Sequence, residues 1–176
     1  MTQDIHTDVV VIGGGTAGFG AALAAARAGL TTHMIEATSK IGGVMAFCPG
    51  MPWGAAFPVG KSIGGLMGEL TARLEKMSPP AAERRVCTLE NFGDEIQYDH
   101  DIATVTMFEM LEEAGVTVRL NATAIAPEMQ GDTIMQVACC DRAGPFAVKP
   151  RMVIDCSGDG DIAAKAGVPY RLGDAS

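Results

Sequence analysis

The sequence has no apolar run of the length that a membrane-spanning helix needs, about 20 residues. It also has no cluster of basic residues: 13 Lys and Arg are dispersed along the chain against 21 Asp and Glu, and the net charge is −8. Affinity for nucleic acid depends on clustered cations. We therefore expect neither nucleic acid nor a membrane as a partner.

Paired cysteines and metal-ligand spacings are missing as well. The five cysteines are an odd number without the spacing of a disulfide framework, which favours reduced thiols and a cytoplasmic location. The three histidines have no ligand spacing among themselves or with the cysteines, so no metal site is predicted. The composition is that of a globular protein, with 48% apolar and 19% charged residues.

The first 36 residues have the pattern of a strand, a helix and a second strand. Residues 9–12 are a continuous apolar run, typical of a strand buried in a parallel sheet. Residues 16–28 are rich in alanine and predict a helix that Gly29 ends, and residues 31–35 predict the next strand.

The rest of the chain predicts a mixture of helices and strands. We expect a loop over residues 38–60, helices over 62–76 and 101–114, and an ambiguous segment between these helices. After the strand "VTVRL", three short runs ("TAIAPEM", "TIMQVACC" and "FAVKP") predict an antiparallel meander, and "RMVIDCSG" predicts a last core strand. The expected fold class is α/β, a parallel sheet with an inserted antiparallel β-meander.

Three early glycines predict a dinucleotide-binding turn. Gly13, Gly15 and Gly18 fit the pattern Gly-x-Gly-x-x-Gly between a predicted strand and a predicted helix, the context that this motif requires. Gly13 permits a tight turn, Gly15 lets a pyrophosphate approach the backbone, and Gly18 lets helix and strand pack closely. The N-terminus of the helix then offers unpaired N–H groups to the phosphates.

The residues after this unit indicate which dinucleotide is bound. Glu36 ends the second strand, where a carboxylate can accept hydrogen bonds from a ribose diol and would repel the 2′-phosphate of NADP. Gly42 and Gly43 have no special use in an NAD site, whereas a flavin extends further from the first helix and needs a second backbone-exposing turn. The strand end "VIDCSGDGD" also lets the backbone approach a cofactor.

Together these motifs resemble the FAD-dependent oxidoreductases of the glutathione-reductase-like superfamily, and above all the fumarate-reductase-like and tricarballylate-dehydrogenase-like members. The resemblance rests on "GGGTAG", the acid, "GGVMA", "DCSGDGD" and "AGVPY" in that order, and it spans nearly the whole chain. It implies a Rossmann-like FAD-binding domain over residues 1–176, with FAD as the cofactor.

The resemblance also implies which residues contact each part of FAD. The diphosphate would be held by Gly13, Gly15, Thr16, Ala17 and Gly18, and the adenosine ribose by Glu36. The ribityl chain would run beside Gly42, Gly43, Met45 and Ala46. The strand near Ala124 would offer backbone groups to adenine, and the nucleotide would be covered by Ser157, Gly158 and Asp159.

Members of this family continue past the equivalent of "AGVPYRLGD" into a substrate domain and a last FAD-binding strand. We therefore expect this chain to be the N-terminal portion of the FAD-binding domain, and a second polypeptide to carry the substrate domain. The expected activity is hydride transfer between a small organic substrate and flavin N5, with no catalytic acid or base assigned. A non-catalytic nucleotide-binding or regulatory subunit of a hetero-oligomer and an NAD-dependent dehydrogenase domain stay open as alternatives.

Overall fold

The computed structural model describes residues 3–48, 50–57, 61–62, 64–88 and 93–173. The chain divides into two compact units, Met1–Ile41 with Leu111–Ser176 (the first unit) and Gly42–Met110 (the second unit). In chain order the elements are β1 (Gln3–Ile12), α1 (Thr16–Arg27), β2 (Thr32–Ile35), α2 (Val44–Phe47), β3 (Trp53–Phe57), α3 (Gly65–Glu75), β4 (Ala82–Arg85), β5 (Asp94–Tyr98), α4 (His100–Glu113), β6 (Thr117–Arg119), β7 (Thr123–Gln130), β8 (Thr133–Asp141), β9 (Gly144–Asp155) and α5 (Asp161–Lys165).

A six-stranded sheet with the strand order β6-β2-β1-β9-β8-β7 forms the first unit. The pairs β6–β2, β2–β1 and β1–β9 are parallel, and β9–β8 and β8–β7 are antiparallel. The α/β class, with a mostly parallel sheet and an antiparallel meander, is therefore confirmed. In this register Ile12 is paired with both Ile35 and Asp155, so the carboxyl ends of β1, β2 and β9 lie side by side.

Apolar residues of the first two predicted elements form much of the first unit's core. Val10 and Val11 are fully buried, as expected for a strand with neighbours on both sides and cover on both faces. On α1, Phe19, Ala22 and Leu23 are buried, and this spacing of three and four residues places them on one helix face. The burial pattern explains why this βαβ unit is recognisable from sequence.

The predicted division of the chain between "FAVKP" and "RMVIDCSG" is wrong, because both runs belong to the single strand β9. Pro150 does not interrupt this strand. Pairing between β8 and β9 reaches only from Gly144 to Val148. Pro150 lies beyond this pairing, so the N–H that proline lacks is not needed for a hydrogen bond to β8.

The second unit contains a three-stranded antiparallel sheet, β3-β5-β4, that the sequence did not predict. The predicted loop over residues 38–60 contains α2 and β3, with positions 49 and 58–60 outside the described residues, and the ambiguous segment contains β4 and β5. Both predicted helices of this region are confirmed, with bounds of Gly65–Glu75 and His100–Glu113. Among the residues that the structure describes, no helix is long and apolar enough to span a bilayer.

Candidate functional site

A pocket of about 240 Å³ lies in the first unit where β1, β2 and β9 end. Its walls are residues 12–13, 35–38, 122–124, 157 and 161–162. Four residues predicted from the sequence meet in this pocket: Gly13, Glu36, Ala124 and Ser157. Ligands of open α/β sheets bind beyond the carboxyl ends of the strands, so this is the expected place for a nucleotide site.

The turn between β1 and α1 has no room for side chains at two of its glycines. Gly13 has φ +97°, and a Cβ there would lie 2.3 Å from the carbonyl oxygen of Cys156. A Cβ on Gly18 would lie 1.8 Å from the carbonyl oxygen of Gly13. Real Cβ contacts are never that short, so both positions require glycine for the close approach of the helix to the strands.

The N-terminus of α1 presents backbone donors to solvent. Gly15 is the N-cap residue and has no side chain to accept a hydrogen bond, and the first intrahelical bond runs from the N–H of Phe19 to the carbonyl of Gly15. The N–H groups of the three residues between them have no acceptor within the helix, and Thr16 and Ala17 are exposed. An anion at this end would gain hydrogen bonds and the favourable end of the helix dipole.

Glu36 is buried at the end of β2, with 9% of its surface exposed. Its Oε2 accepts a hydrogen bond of 2.5 Å from the N–H of Gly14, and its Oε1 accepts one of 2.6 Å from the N–H of Thr38. These bonds fix the carboxylate in the pocket wall and leave each oxygen a second lone pair. A ribose diol that enters the pocket would therefore meet a fixed pair of acceptors.

The turn after β9 is organised by the carboxylate of Asp155. It accepts hydrogen bonds from the N–H of Ser157 and the N–H of Ala163, at 3.0 and 2.8 Å. Burial acts to raise the pKa of Asp155, but these backbone donors outweigh it and hold that pKa below its ordinary value. The Ser157 hydroxyl in turn accepts the N–H groups of Gly160 and Asp161.

This turn gives a testable prediction about stability. Asp155→Ala should lower the free energy of unfolding by about 1–2 kcal/mol at pH 7, because two backbone donors lose their acceptor. Since the folded-state pKa is lowered, the contribution of Asp155 is present above the unfolded-state pKa of about 3.9 and disappears as the pH falls through the folded-state value. Urea unfolding should therefore show a smaller difference between wild type and variant at pH 3 than at pH 7. The exposed Asp132, as Asp132→Ala, is the control, and equal losses at both pH values would contradict the prediction.

Gly158 and Asp159, which were also predicted to cover the nucleotide, are more exposed than Ser157. Gly158 has φ +92° and is exposed, and Asp159 is exposed and is not part of the pocket wall. Asp161 does line the pocket, although the sequence analysis did not select it. The repeated acid in "GDGD" is the only signal that could have identified it.

Ala124 lies near the start of β7, which is an edge strand of the sheet. Backbone groups on the edge that faces away from β8 have no strand partner and can recognise a ligand. The Nζ of Lys165, at the end of α5, donates a 2.7 Å hydrogen bond to the carbonyl of Ile125, beside this position. The contact joins α5 to the strand that forms this wall of the pocket.

The remaining predicted residues lie in the second unit. Gly42 and Gly43 both have positive φ, +110° and +54°, and Gly43 is the N-cap residue of α2. Met45 and Ala46 are buried within this short helix, and their N–H groups donate to the carbonyls of Gly42 and Gly43. The pair therefore forms a second tight turn, as its sequence suggests.

The cysteines show no arrangement that suggests redox chemistry. All five are free, and Cys48, which follows α2, is exposed. Burial raises the pKa of the Cys139 thiol to about 11, so it is protonated at neutral pH and unreactive. Among the described residues no group of three or more His, Cys, Asp or Glu could hold a metal ion.

Comparison with known proteins matches this chain to a family of flavoproteins. A family model described as FAD dependent oxidoreductase matches residues 8–176. Digeranylgeranylglycerophospholipid reductase 1 of Methanococcoides burtonii is 27% identical over 177 residues, which cover 94% of this chain and 41% of the relative.

Solved structures share the fold at lower identity. A geranylgeranyl bacteriochlorophyll reductase-like protein of Thermoplasma acidophilum has a TM-score of 0.66 and 19% identity over 96% of this chain and 44% of its own. Glycerol-3-phosphate dehydrogenase of Bacillus halodurans, solved with FAD, has a TM-score of 0.59 and 15% identity over 85% of this chain and 34% of its own. The chain thus spans less than half the length of these similar proteins.

Proposed function

Because the chain belongs to the family of FAD-dependent oxidoreductases, we propose that the pocket of the first unit binds the adenosine half of FAD. The observation that carries the proposal is the buried carboxylate of Glu36, fixed by two backbone donors in the wall of a pocket at the strand ends. The glycine turn follows β1 and leads into the N-terminus of α1, which would supply donors for the diphosphate.

The size of the pocket fits one nucleoside. Pockets that enclose drug-sized ligands have volumes of about 300–1,000 Å³. At about 240 Å³, this pocket is smaller than that range and suits adenosine, whereas FAD as a whole needs further walls. We propose that the ribityl chain of FAD runs beside Gly42, Gly43, Met45 and Ala46, as the sequence resemblance implies.

The same carboxylate determines which nucleotides are disfavoured. NADP carries a phosphate on the 2′-oxygen of the adenosine ribose, and Glu36 would repel it. NAD has an unmodified ribose, so the pocket itself accepts the adenosine of either NAD or FAD. The family match and the second glycine turn favour FAD over an NAD-dependent dehydrogenase domain.

We further propose that the chain is part of an oxidoreductase of the fumarate-reductase-like branch, acting on a small organic substrate. The bound flavin would supply hydride transfer at N5. In this proposal the described residues bind and orient the cofactor. The acid–base residues and the substrate domain belong to further polypeptide, provided by a second chain.

Exposed apolar residues support such a partner. In the stretch that follows α5, Val168, Tyr170 and Leu172 are 53%, 69% and 91% exposed. Apolar side chains exposed to this extent are available for contact with another polypeptide. We propose that the second chain, which carries the substrate domain, packs against this stretch.

Titration of the purified chain with five nucleotides tests the function. We expect FAD and ADP to bind, FMN to bind much more weakly because it lacks adenosine, and NADP⁺ to bind more weakly than NAD⁺ because of its 2′-phosphate. Calorimetry gives the dissociation constants. Binding of FMN as tight as that of FAD, or no binding of either FAD or ADP, would refute the proposal. Binding of NAD⁺ in preference to FAD would support the dehydrogenase alternative.

A further inference from the structure

His100, the first residue of α4, contacts the backbone of the second unit at two points after the glycine pair. Its Nδ1 lies 2.7 Å from the carbonyl oxygen of Met45. Its Nε2 accepts a 2.8 Å hydrogen bond from the N–H of Gly50. One imidazole ring therefore connects α2, which contains Met45, to the backbone that follows this helix.

These two contacts define the protonation state of the ring. A carbonyl oxygen only accepts hydrogen bonds, so Nδ1 must carry a proton, and a peptide N–H only donates, so Nε2 must present its lone pair. The neutral imidazole with its proton on Nδ1 satisfies both contacts. The other neutral tautomer satisfies neither, and the imidazolium would place a second N–H against that of Gly50.

One aromatic side chain packs beside the ring of His100, and a second packs on the first. The ring of Tyr98 lies 4.5 Å from that of His100, and Trp53 stacks on Tyr98 at 4.2 Å. The Tyr98 hydroxyl donates a 3.4 Å hydrogen bond to the same Met45 carbonyl. Tyr98 and Trp53 are buried, so the group that binds this carbonyl is itself well packed.

The segment needs such support because α2 has only four residues. An isolated helix shorter than about 12–15 residues is marginal in water, and α2 has no side-chain cap at its N-terminus. It is preceded by Gly42 and Gly43 at positive φ, which are free to adopt other conformations. Contacts from outside α2 therefore help to select the conformation of residues 42–48.

We propose that His100 is a positioning residue that holds residues 42–48 and Gly50 in the backbone conformation that contacts the flavin half of FAD. This inference rests on the proposed function, in which Gly42, Gly43, Met45 and Ala46 run beside the ribityl chain. His100 acts through the Met45 carbonyl and the Gly50 N–H and does not touch the cofactor in this role.

His100→Phe tests the proposal, because it keeps a planar ring and removes both nitrogens. We expect the dissociation constant of FAD to rise about tenfold, as for the loss of roughly 1.4 kcal/mol of hydrogen bonding, while that of ADP stays unchanged because ADP lacks the ribityl chain. His100→Asn should restore part of the FAD affinity, since its amide N–H can replace Nδ1–H. The exposed His6, as His6→Asn, is the control and should change neither constant.

Three results would overturn the inference: unchanged FAD affinity in His100→Phe, equal losses for FAD and ADP, or no rescue by asparagine. A nitrogen-15 NMR spectrum of histidine-labelled wild-type protein gives an independent readout if His100→Phe fails to fold. It should show the Nδ1–H tautomer for His100, and the Nε2–H tautomer would contradict the proposal. Wild-type protein that binds neither FAD nor ADP would instead refute the proposed function, on which the inference depends.

Discussion

Glu36→Ala should weaken the binding of both ADP and FAD by roughly 10- to 150-fold, which corresponds to about 1.5–3 kcal/mol for hydrogen bonds to a charged acceptor. The carboxylate is fixed by the N–H groups of Gly14 and Thr38 in the pocket wall, so the ribose loses its acceptor and the wall loses two internal bonds. Calorimetric titration with ADP measures the effect without any contribution from the flavin.

Two further variants separate binding from folding. Glu36→Asp keeps the charge on a shorter side chain and should lose less affinity than Glu36→Ala. Glu112→Ala, at an exposed position of α4, is the control and should leave the affinity for ADP unchanged. The Glu36→Ala protein must still be folded at the titration temperature. If it then binds ADP as tightly as the wild type, adenosine binds elsewhere.

Gly18→Ala should destabilise the protein by about 3 kcal/mol or more, because the added Cβ would lie 1.8 Å from the carbonyl oxygen of Gly13. The atom that it meets belongs to the backbone, so relief requires α1 to move away from β1. That movement would displace the donors at the N-terminus of α1 and weaken ADP binding as well. Urea unfolding measures the first effect and titration with ADP the second.

Gly20→Ala is the matched control in the same helix. A Cβ on Gly20 would meet nothing within 4 Å, so alanine should stabilise the protein by up to about 1 kcal/mol through its better helix propensity. The two substitutions add the same methyl group two residues apart and should have opposite effects on stability. Two variants of equal stability would contradict the steric account of Gly18.

The βαβ unit and its glycines could be predicted because their signals are local. A strand buried on both faces requires a continuous apolar run. Gly18 is required by the backbone of Gly13, five residues earlier. The close contact of Gly13 with Cys156 is distant in sequence, so Gly13 could be recognised only as part of the motif. The boundaries of β9 could not be predicted in this way. Pro150 is tolerated on the β8 side because the pairing with β8 extends only to Val148, and the extent of that pairing is a tertiary property.

The small sheet of the second unit has no pattern that identifies it. In β4 the residues Ala82–Arg85 read "AERR", and only the alanine is buried. The strand is held by pairing with β5 and by Arg84, which forms a 2.6 Å ion pair with Asp94 and lies over the ring of Phe57. Cross-strand contacts of this kind do not appear as periodicity in the sequence.

The contacts of His100 could not be predicted from its sequence position. The ring is half-buried, and its two partners, Met45 and Gly50, are at least 50 positions away in the chain. No spacing rule links a histidine to backbone atoms at that distance. The role of Glu36, in contrast, could be predicted from the sequence, because it belongs to a motif in which a strand, a helix, a second strand and an acidic residue follow one another.

A crystal structure of the chain with FAD is the most direct test of the central claim, that the pocket at the ends of β1, β2 and β9 holds adenosine. We expect both ribose hydroxyls to lie within hydrogen-bond distance of the Glu36 carboxylate, and the diphosphate to lie at the N–H groups that begin α1. Adenosine bound outside this pocket, or a ribose turned away from Glu36, would contradict the account.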